Sequence, residues 1–169
     1  MERNIIAVLV RNHFGVLARV ASMFRRRGFN IDTLTVGETE DPAYSRITAT
    51  FRGDDSIKNQ IIRQLMKMPD VVHISELTKD SSVSRELVLI KIKNDKNLKQ
   101  DIMSVIDIFR AKVVDYGTQA MTIEITGESS KIDAFIELVK DYGIIEICRT
   151  GIVSLQRGAG SILSNISEN

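Results

Sequence analysis

The hydrophobic pattern of the first 77 residues changes repeatedly between two periods. Continuous or alternating apolar runs predict four strands, at residues 5–10, 31–36, 44–52 and 71–77. Apolar positions that return every three or four residues predict two helices, at residues 17–24 and 57–68, with Asp54, Asp55 or Ser56 capping the second. The order β-α-β-β-α-β predicts a ferredoxin-like sandwich, in which four antiparallel strands carry both helices on one face.

The same order begins again after a short polar stretch at residues 78–84, which we interpret as a linker. Strands are predicted at residues 87–92, 112–115, 121–126 and 144–155, and helices at residues 98–109 and 132–139. The chain is therefore predicted to be an α+β protein of two tandem ferredoxin-like units. The predicted boundaries are 1–78 for the first domain and 84–158 for the second, followed by a mobile tail at 159–169.

Composition excludes several classes of protein. Lys and Arg number 23 against 22 Asp and Glu, so the chain has no strong positive field for nucleic acid or anionic membranes. A single cysteine, Cys148, excludes an intramolecular disulfide, and His13 and His73 add no ligand spacing for zinc. We expect Cys148 to be a small buried residue and the protein to be cytoplasmic, because the apolar run near the start is too short for a signal peptide or membrane span.

No catalytic constellation is present in the sequence. Neither histidine lies near a nucleophile-elbow motif, and no glycine-rich stretch has the pattern of a phosphate loop. We therefore predict a protein that is not an enzyme, has no catalytic residues and binds no metal or cofactor of its own.

The most informative local feature is the predicted strand-to-helix turn at Asn12, His13, Phe14, Gly15, Val16 and Leu17, which we call the glycine turn. The first amides of a helix lack internal acceptors, so a small carboxylate can bind there. Asn12 offers a donor and an acceptor to an amino acid, Gly15 lets a ligand approach the backbone, and His13 lies beside the turn. Alternatively, Asn12 only caps the helix and Gly15 only permits the turn.

Asn30, between the first helix and the second strand, is a weaker candidate. A residue of this type after a glycine tolerates unusual backbone angles, so its role is either that of a turn residue or that of an amide presented at an interface. The sequence alone leaves both interpretations open.

Two segments of the first half, NHFGVLARV at 12–20 and RGFNIDTLTV at 27–36, resemble the ACT domain of the acetolactate synthase small-subunit family. SRIT at 45–48 resembles the same family, and so do SREL at 84–87, FRA at 109–111, KIDAF at 131–135 and TGIVSLQRG at 150–158 in the second half. The resemblance covers nearly the whole chain and implies that the first unit is an ACT domain.

The resemblance implies a regulatory subunit of branched-chain amino acid biosynthesis that forms a homodimer and binds valine, or a related end product, for feedback inhibition. Asn12, Gly15, Val16 and Leu17 would come from one protomer and Asn30 and Ile31 from the other. The partner would be a separate catalytic subunit that carries thiamine diphosphate, magnesium and FAD and joins two pyruvates, or pyruvate and 2-oxobutyrate. Many relatives have proline where Phe14 stands, which puts the rigidity of this turn in question.

Two other functions share the predicted topology. An RNA-binding RRM has the same strand order but needs aromatic residues on its third strand, where only Tyr44 and Phe51 occur, and the RRM signature string is missing. The second alternative is a stand-alone ACT regulator of another enzyme, because fold alone does not fix function.

Overall fold

Strands and helices alternate through residues 3–95 and 98–166, the residues that the computed structural model describes. The chain divides into two compact units. The first runs to Val83 and resumes at Ile152, and the second is Ser84–Gly151. No helix among these described residues is long and apolar enough to cross a membrane.

The first unit contains the predicted β-α-β-β-α-β order. Its elements are β1 (Arg3–Arg11), α1 (Val16–Arg26), β2 (Ile31–Glu38), β3 (Tyr44–Arg52), α2 (Asp55–Leu65) and β4 (Val71–Glu76). The strands lie in the order β2-β3-β1-β4, and every neighbouring pair is antiparallel. The ferredoxin-like fold predicted for this half is confirmed.

The core of the first unit lies between the sheet and its two helices. Alternate residues of β1, among them Ile6 and Val8, pack with Phe24 of α1 and Ile61 of α2, and all four are buried. Asp54 caps α2, since its Oδ1 accepts a hydrogen bond from the Ile57 amide at 2.9 Å. Both helices therefore hold fixed positions on one face of the sheet, and this sets where α1 begins.

The second unit repeats the order. It contains β5 (Ser82–Lys93), α3 (Lys99–Phe109), β6 (Lys112–Tyr116), β7 (Ala120–Gly127), α4 (Ser129–Val139) and β8 (Ile144–Arg149). The strand order β6-β7-β5-β8 matches that of the first sheet position by position. Ile90, Ile123 and Phe135 are fully buried at its centre, so the prediction of two tandem ferredoxin-like units is confirmed.

The end of the chain differs from the predicted boundaries. The strand predicted at 144–155 is interrupted at Gly151, whose φ of 80° does not continue a strand, and β9 (Val153–Gln156) follows as a separate element. Residues 152–166, which we call the C-terminal segment, group with the first unit, whereas the sequence pattern placed residues up to 158 in the second. Residues 167–169 of the predicted mobile tail lie outside the described residues.

Side-chain and backbone contacts hold the C-terminal segment on the first unit. Arg46 of β3 donates from Nη2 to the carbonyl oxygen of Ser154 at 2.6 Å, and the Arg157 amide donates to the Ser81 carbonyl at 2.8 Å. A short 3-10 helix, Ser164–Ile166, ends the described part of the segment. Local sequence periodicity carries no information on such long-range contacts.

The stretch predicted as a linker is a hydrogen-bonded turn. The hydroxyls of Thr78 and Ser81 are 2.6 Å apart, and the Ser82 hydroxyl donates to the Thr78 carbonyl at 2.6 Å. β5 begins within the predicted linker, at Ser82. Serine and threonine hydroxyls close such turns by bonding to nearby backbone, and this accounts for the polar composition of the stretch.

The prediction that Cys148 is buried is wrong. Cys148 is exposed on β8, where it pairs with Leu89 of β5, a residue that is itself exposed. Ile90, which follows Leu89 on β5, is the residue that enters the core. Because successive side chains point to opposite faces of a strand, Cys148 lies on the face away from the helices.

Candidate functional site

The glycine turn connects the end of β1 to the start of α1. Gly15 precedes the helix with φ 84° and ψ −5°, a left-handed conformation that residues with a Cβ rarely adopt. A Cβ built on Gly15 would meet no atom within 4 Å, so the turn is open on that side. Val16 is buried and anchors the first residue of the helix in the core. The glycine is therefore required by backbone conformation and leaves free space beside the helix start.

Asn12 does not cap α1, which has no side-chain cap. Its Nδ2 donates to Glu38 Oε1 at 3.1 Å and to the Pro42 carbonyl at 3.0 Å. Because a carbonyl oxygen can only accept, the Pro42 contact fixes which end of the amide is Nδ2. The donors of the Asn12 side chain are thus engaged with the protein, and its Oδ1 remains as an acceptor for a ligand.

The first turn of α1 presents backbone donors. The Arg19 amide donates to the Gly15 carbonyl at 3.1 Å, and the Val16 amide makes a long contact of 3.5 Å with the His13 carbonyl. Within the described residues, the amides of Leu17 and Ala18 have no backbone or side-chain acceptor. Free amides at a helix start, together with the positive end of the helix dipole, suit a small carboxylate.

A buried carboxylate, that of Asp70, contacts residues of the glycine turn and of α1. Asp70, which precedes β4, has its Oδ1 2.9 Å from His13 Nε2 and its Oδ2 2.7 Å from Arg19 Nη2. Its carbonyl oxygen also accepts the Arg11 amide at 2.9 Å. Asp70 and Glu38 were not predicted as site residues, because each is distant in sequence from the turn. The sequence near them gave little indication of a role at the site: Glu38 follows a predicted strand, and Asp70 follows a proline.

Apolar side chains project from the same turn into solvent. Phe14 is fully exposed, at 102% of its reference area, and Leu17 is 43% exposed. An exposed phenylalanine forgoes about 1.5–3 kcal/mol of burial free energy. An apolar rim therefore borders the open amides.

Asn30 and Ile31 lie at the opposite end of the sheet. Ile31 pairs with Phe51, and Phe51 pairs with Asn4 at the start of β1, whereas Asn12 follows the end of β1. From Asn4 to Asn12 the strand advances by about 27 Å at roughly 3.4 Å per residue. Asn30 is exposed, Ile31 is half-buried, and neither can meet the glycine turn of the same chain.

The described residues contain no group of three or more His, Cys, Asp or Glu side chains placed to hold a metal ion. The glycine turn offers instead backbone amide donors and one side-chain amide oxygen, Asn12 Oδ1, as an acceptor. Such a set matches the carboxylate and ammonium of a free amino acid.

Both units match families of known proteins. Residues 6–73 match the ACT domain of the acetohydroxyacid synthase small-subunit type, and residues 85–158 match the small subunit of acetolactate synthase. The first match lies within the first unit, and the second covers the second unit together with residues 152–158 of the C-terminal segment.

Whole-chain relatives agree with these matches. The chain is 48% identical over 156 residues to the probable acetolactate synthase small subunit of Archaeoglobus fulgidus, covering 92% of this chain and 98% of the relative. It is 46% identical over 157 residues to the acetolactate synthase small subunit of Mycolicibacterium smegmatis, covering 93% and 92%. The crystal structure of the Thermotoga maritima acetolactate synthase small subunit superimposes with a TM-score of 0.87 at 40% identity, covering 95% of this chain and 100% of that one. The chain belongs to the acetolactate synthase small-subunit family.

Proposed function

We propose that the protein is the non-catalytic regulatory subunit of an acetolactate synthase, that it activates a separate catalytic subunit, and that it mediates feedback inhibition by valine. The family membership of both units supports the partnership. The observation that carries the sensing role is the open start of α1, where, among the described residues, the Leu17 and Ala18 amides and Asn12 Oδ1 have no hydrogen-bond partner and the side of Gly15 is free of other atoms.

The glycine turn suits the two charged groups of an amino acid. The ligand carboxylate accepts hydrogen bonds from the Leu17 and Ala18 amides, where the helix dipole favours negative charge. The ligand ammonium donates to Asn12 Oδ1, whose side chain is held by Glu38 and Pro42. A branched aliphatic side chain then lies against the exposed part of Leu17.

A second copy of the chain completes the proposed site. Asn30 and Ile31 cannot reach the glycine turn of their own chain, because the length of β1 separates them. In a twofold dimer whose sheets lie edge to edge with antiparallel strands, opposite ends of the two sheets are neighbours, so Asn30 and Ile31 of one copy cover the turn of the other. Two features support this pairing: β2 is an edge strand of its sheet, and Phe14 is an exposed apolar side chain, and both favour contact with a second copy.

The catalytic partner supplies the chemistry. In this proposal it carries thiamine diphosphate, magnesium and FAD, and this chain contributes no reacting group. The effector exerts control because it binds one state of the assembly better than the other.

The observations favour this function over the two alternatives. An RRM stacks bases on aromatic residues of the open sheet face, but Phe51 is buried in the core with the helices. A stand-alone ACT regulator accounts for the first unit only, whereas the second unit also matches the acetolactate synthase small subunit.

Reconstitution tests the proposal. The purified chain with pyruvate and all cofactors is expected to make no acetolactate, to raise production by the catalytic subunit, and to make that production sensitive to valine. Turnover by the chain alone contradicts the non-catalytic assignment, and an unchanged rate on mixing contradicts the partnership.

Mixing two defective variants tests the shared site. Gly15→Asp disables the turn, and Asn30→Phe blocks the covering side from an exposed position. If each site takes one part from each copy, a heterodimer has one intact site and one doubly defective site. An equal mixture then regains about one quarter of the valine sites, measured by calorimetry. No recovery after subunit exchange contradicts a site shared between copies.

A further inference from the structure

We propose that Asp70 is the positioning residue of the glycine turn: it binds no effector itself, but holds the turn and the start of α1 in the geometry that the effector carboxylate requires. The inference rests on the proposed effector site. It adds a residue, far away in sequence, whose carboxylate determines how well that site is formed.

Asp70 contacts one residue of the glycine turn and one residue on each side of it. Its carboxylate meets His13 Nε2 at 2.9 Å and Arg19 Nη2 at 2.7 Å, and its carbonyl accepts the Arg11 amide at 2.9 Å. His13 precedes the left-handed Gly15, and Arg19 lies one helical turn after it. The open amides of Leu17 and Ala18 lie between these tethers, so the tethers fix the direction in which the amides point.

The burial of the three side chains shows which group does the holding. The Asp70 side chain is 10% exposed, whereas those of His13 and Arg19 are 50% and 53% exposed. A buried carboxylate needs charged or hydrogen-bonded partners, but half-exposed polar side chains are solvated by water without such a partner. Loss of the carboxylate therefore releases the His13 and Arg19 side chains to solvent, and the glycine turn loses the contacts that fix its position.

A positioning role and a purely electrostatic role predict opposite signs. Asp70 is negative, so removal of its charge removes a repulsion against an effector carboxylate and leaves Arg19 more available to attract it. If Asp70 acts only through Coulomb repulsion of the effector carboxylate, Asp70→Asn strengthens valine binding. If Asp70 orients the amides, the same change weakens binding. The asparagine replaces one acceptor oxygen by the donor group Nδ2, which then faces another donor and cannot form the hydrogen bond that the carboxylate accepted.

The test measures valine binding to the full chain by calorimetry, with thermal unfolding and activation of the catalytic subunit alongside. Asp70→Asn is expected to weaken valine binding by about tenfold, the usual scale for coupled neighbouring groups. Activation without valine is expected to stay within about twofold of wild type, because activation in the absence of the effector does not require a well-formed effector site. Hydrogen exchange at residues 13–18 should also speed up without ligand.

Glu86→Gln is the matched control. Glu86 is likewise a buried carboxylate that accepts two charge-assisted hydrogen bonds from an arginine, but it lies in the second unit. It is expected to lower the unfolding temperature and leave valine affinity unchanged. If Asp70→Asn does only the same, Asp70 is merely structural and the proposal is overturned.

Arg19→Met provides a second variant that does not depend on the folding of Asp70→Asn, since Arg19 is half-exposed. Alone, it should weaken valine binding, because it removes one of the side chains through which Asp70 holds the turn. In the double variant it should weaken binding no further than Asp70→Asn alone, because Arg19 acts through Asp70. Additive losses, or tighter binding by Asp70→Asn, overturn the proposal. Failure of the site itself has a different signature: valine then still binds to Gly15→Asp, whatever Asp70→Asn does.

Discussion

The Glu86 carboxylate and the Arg149 guanidinium form two parallel hydrogen bonds in the second unit, Oε1 with Nε at 2.7 Å and Oε2 with Nη2 at 2.8 Å. Glu86 is 1% exposed, and Asp133 contacts the same guanidinium at 3.2 Å. The hydrogen bonds that Arg149 donates to the Glu86 carboxylate raise the pKa of Arg149, and burial opposes this shift. Because the pKa of this cation is raised, its contribution to stability is fully present below the ordinary arginine pKa and is lost only as the pH rises through the folded-state pKa, so Arg149 is charged at neutral pH.

Glu86→Gln is expected to lower the free energy of unfolding by about 1–3 kcal/mol, because a buried acceptor of two charge-assisted bonds loses its charge. Arg149 is partly exposed, so water solvates the released guanidinium and limits the loss. Denaturant unfolding measures the change. Glu146→Gln, which breaks the exposed pair with Lys91, is the control and should cost less than about 1 kcal/mol. Equal losses in the two variants would contradict the assigned role of burial.

Gly15→Asp is expected to abolish valine inhibition and to leave activation of the catalytic subunit largely intact. The new carboxylate occupies the space beside the open amides and repels the ligand. A residue with a Cβ at φ 84° also adds about 1–2 kcal/mol of backbone strain. Gly158→Asp is the control, since Gly158 has the same φ of 84° and open space around its Cβ position. Acetolactate production over a valine series, with calorimetry, measures both. Unchanged valine binding in folded Gly15→Asp would move the effector elsewhere.

Phe14→Ser is expected to weaken the proposed dimer and to leave the stability of the single chain unchanged. Phe14 is fully exposed, so its removal leaves no cavity within the unit, whereas its burial in a dimer contributes about 1.5–3 kcal/mol. Sedimentation over a concentration series measures the dimer. Ile108→Ser, at a residue 76% exposed in the second unit, provides the control. A dimer constant equal to wild type would exclude Phe14 from the interface.

Arg46→Met is expected to loosen the C-terminal segment. Arg46 holds the Ser154 carbonyl at 2.6 Å, and the methionine keeps an apolar side chain but no donor. Burial lowers the pKa of Arg46 while nearby Glu40 raises it, so the guanidinium is held in a partly desolvated position. Faster hydrogen exchange at residues 154–157 is the readout. Arg52→Met, at an exposed arginine on the same strand, should leave that exchange unchanged.

Contacts between residues that are distant in the chain are decided by the tertiary structure. Asp70 contacts His13, and Glu38 contacts Asn12, and the local hydrophobic pattern does not predict contacts over such sequence separations. Sequence reasoning therefore found the glycine turn but not the groups that hold it. It assigned both donor and acceptor roles toward a ligand to the Asn12 side chain. In the structure Nδ2 donates to Glu38 and Pro42, so only the acceptor Oδ1 is available to a ligand.

The sequence by itself determined both units and the place of the glycine turn, because apolar periods of two and of three to four residues are local consequences of strand and helix geometry. The need for a residue without a Cβ at Gly15 is equally local. The tertiary structure alone decided that Cys148 faces outward and that residues 152–166 return to the first unit. It also decided that Asp70 is buried beneath the turn. These outcomes depend on which surfaces meet after the chain has folded, and that depends on sheet register and on packing between residues far apart in sequence.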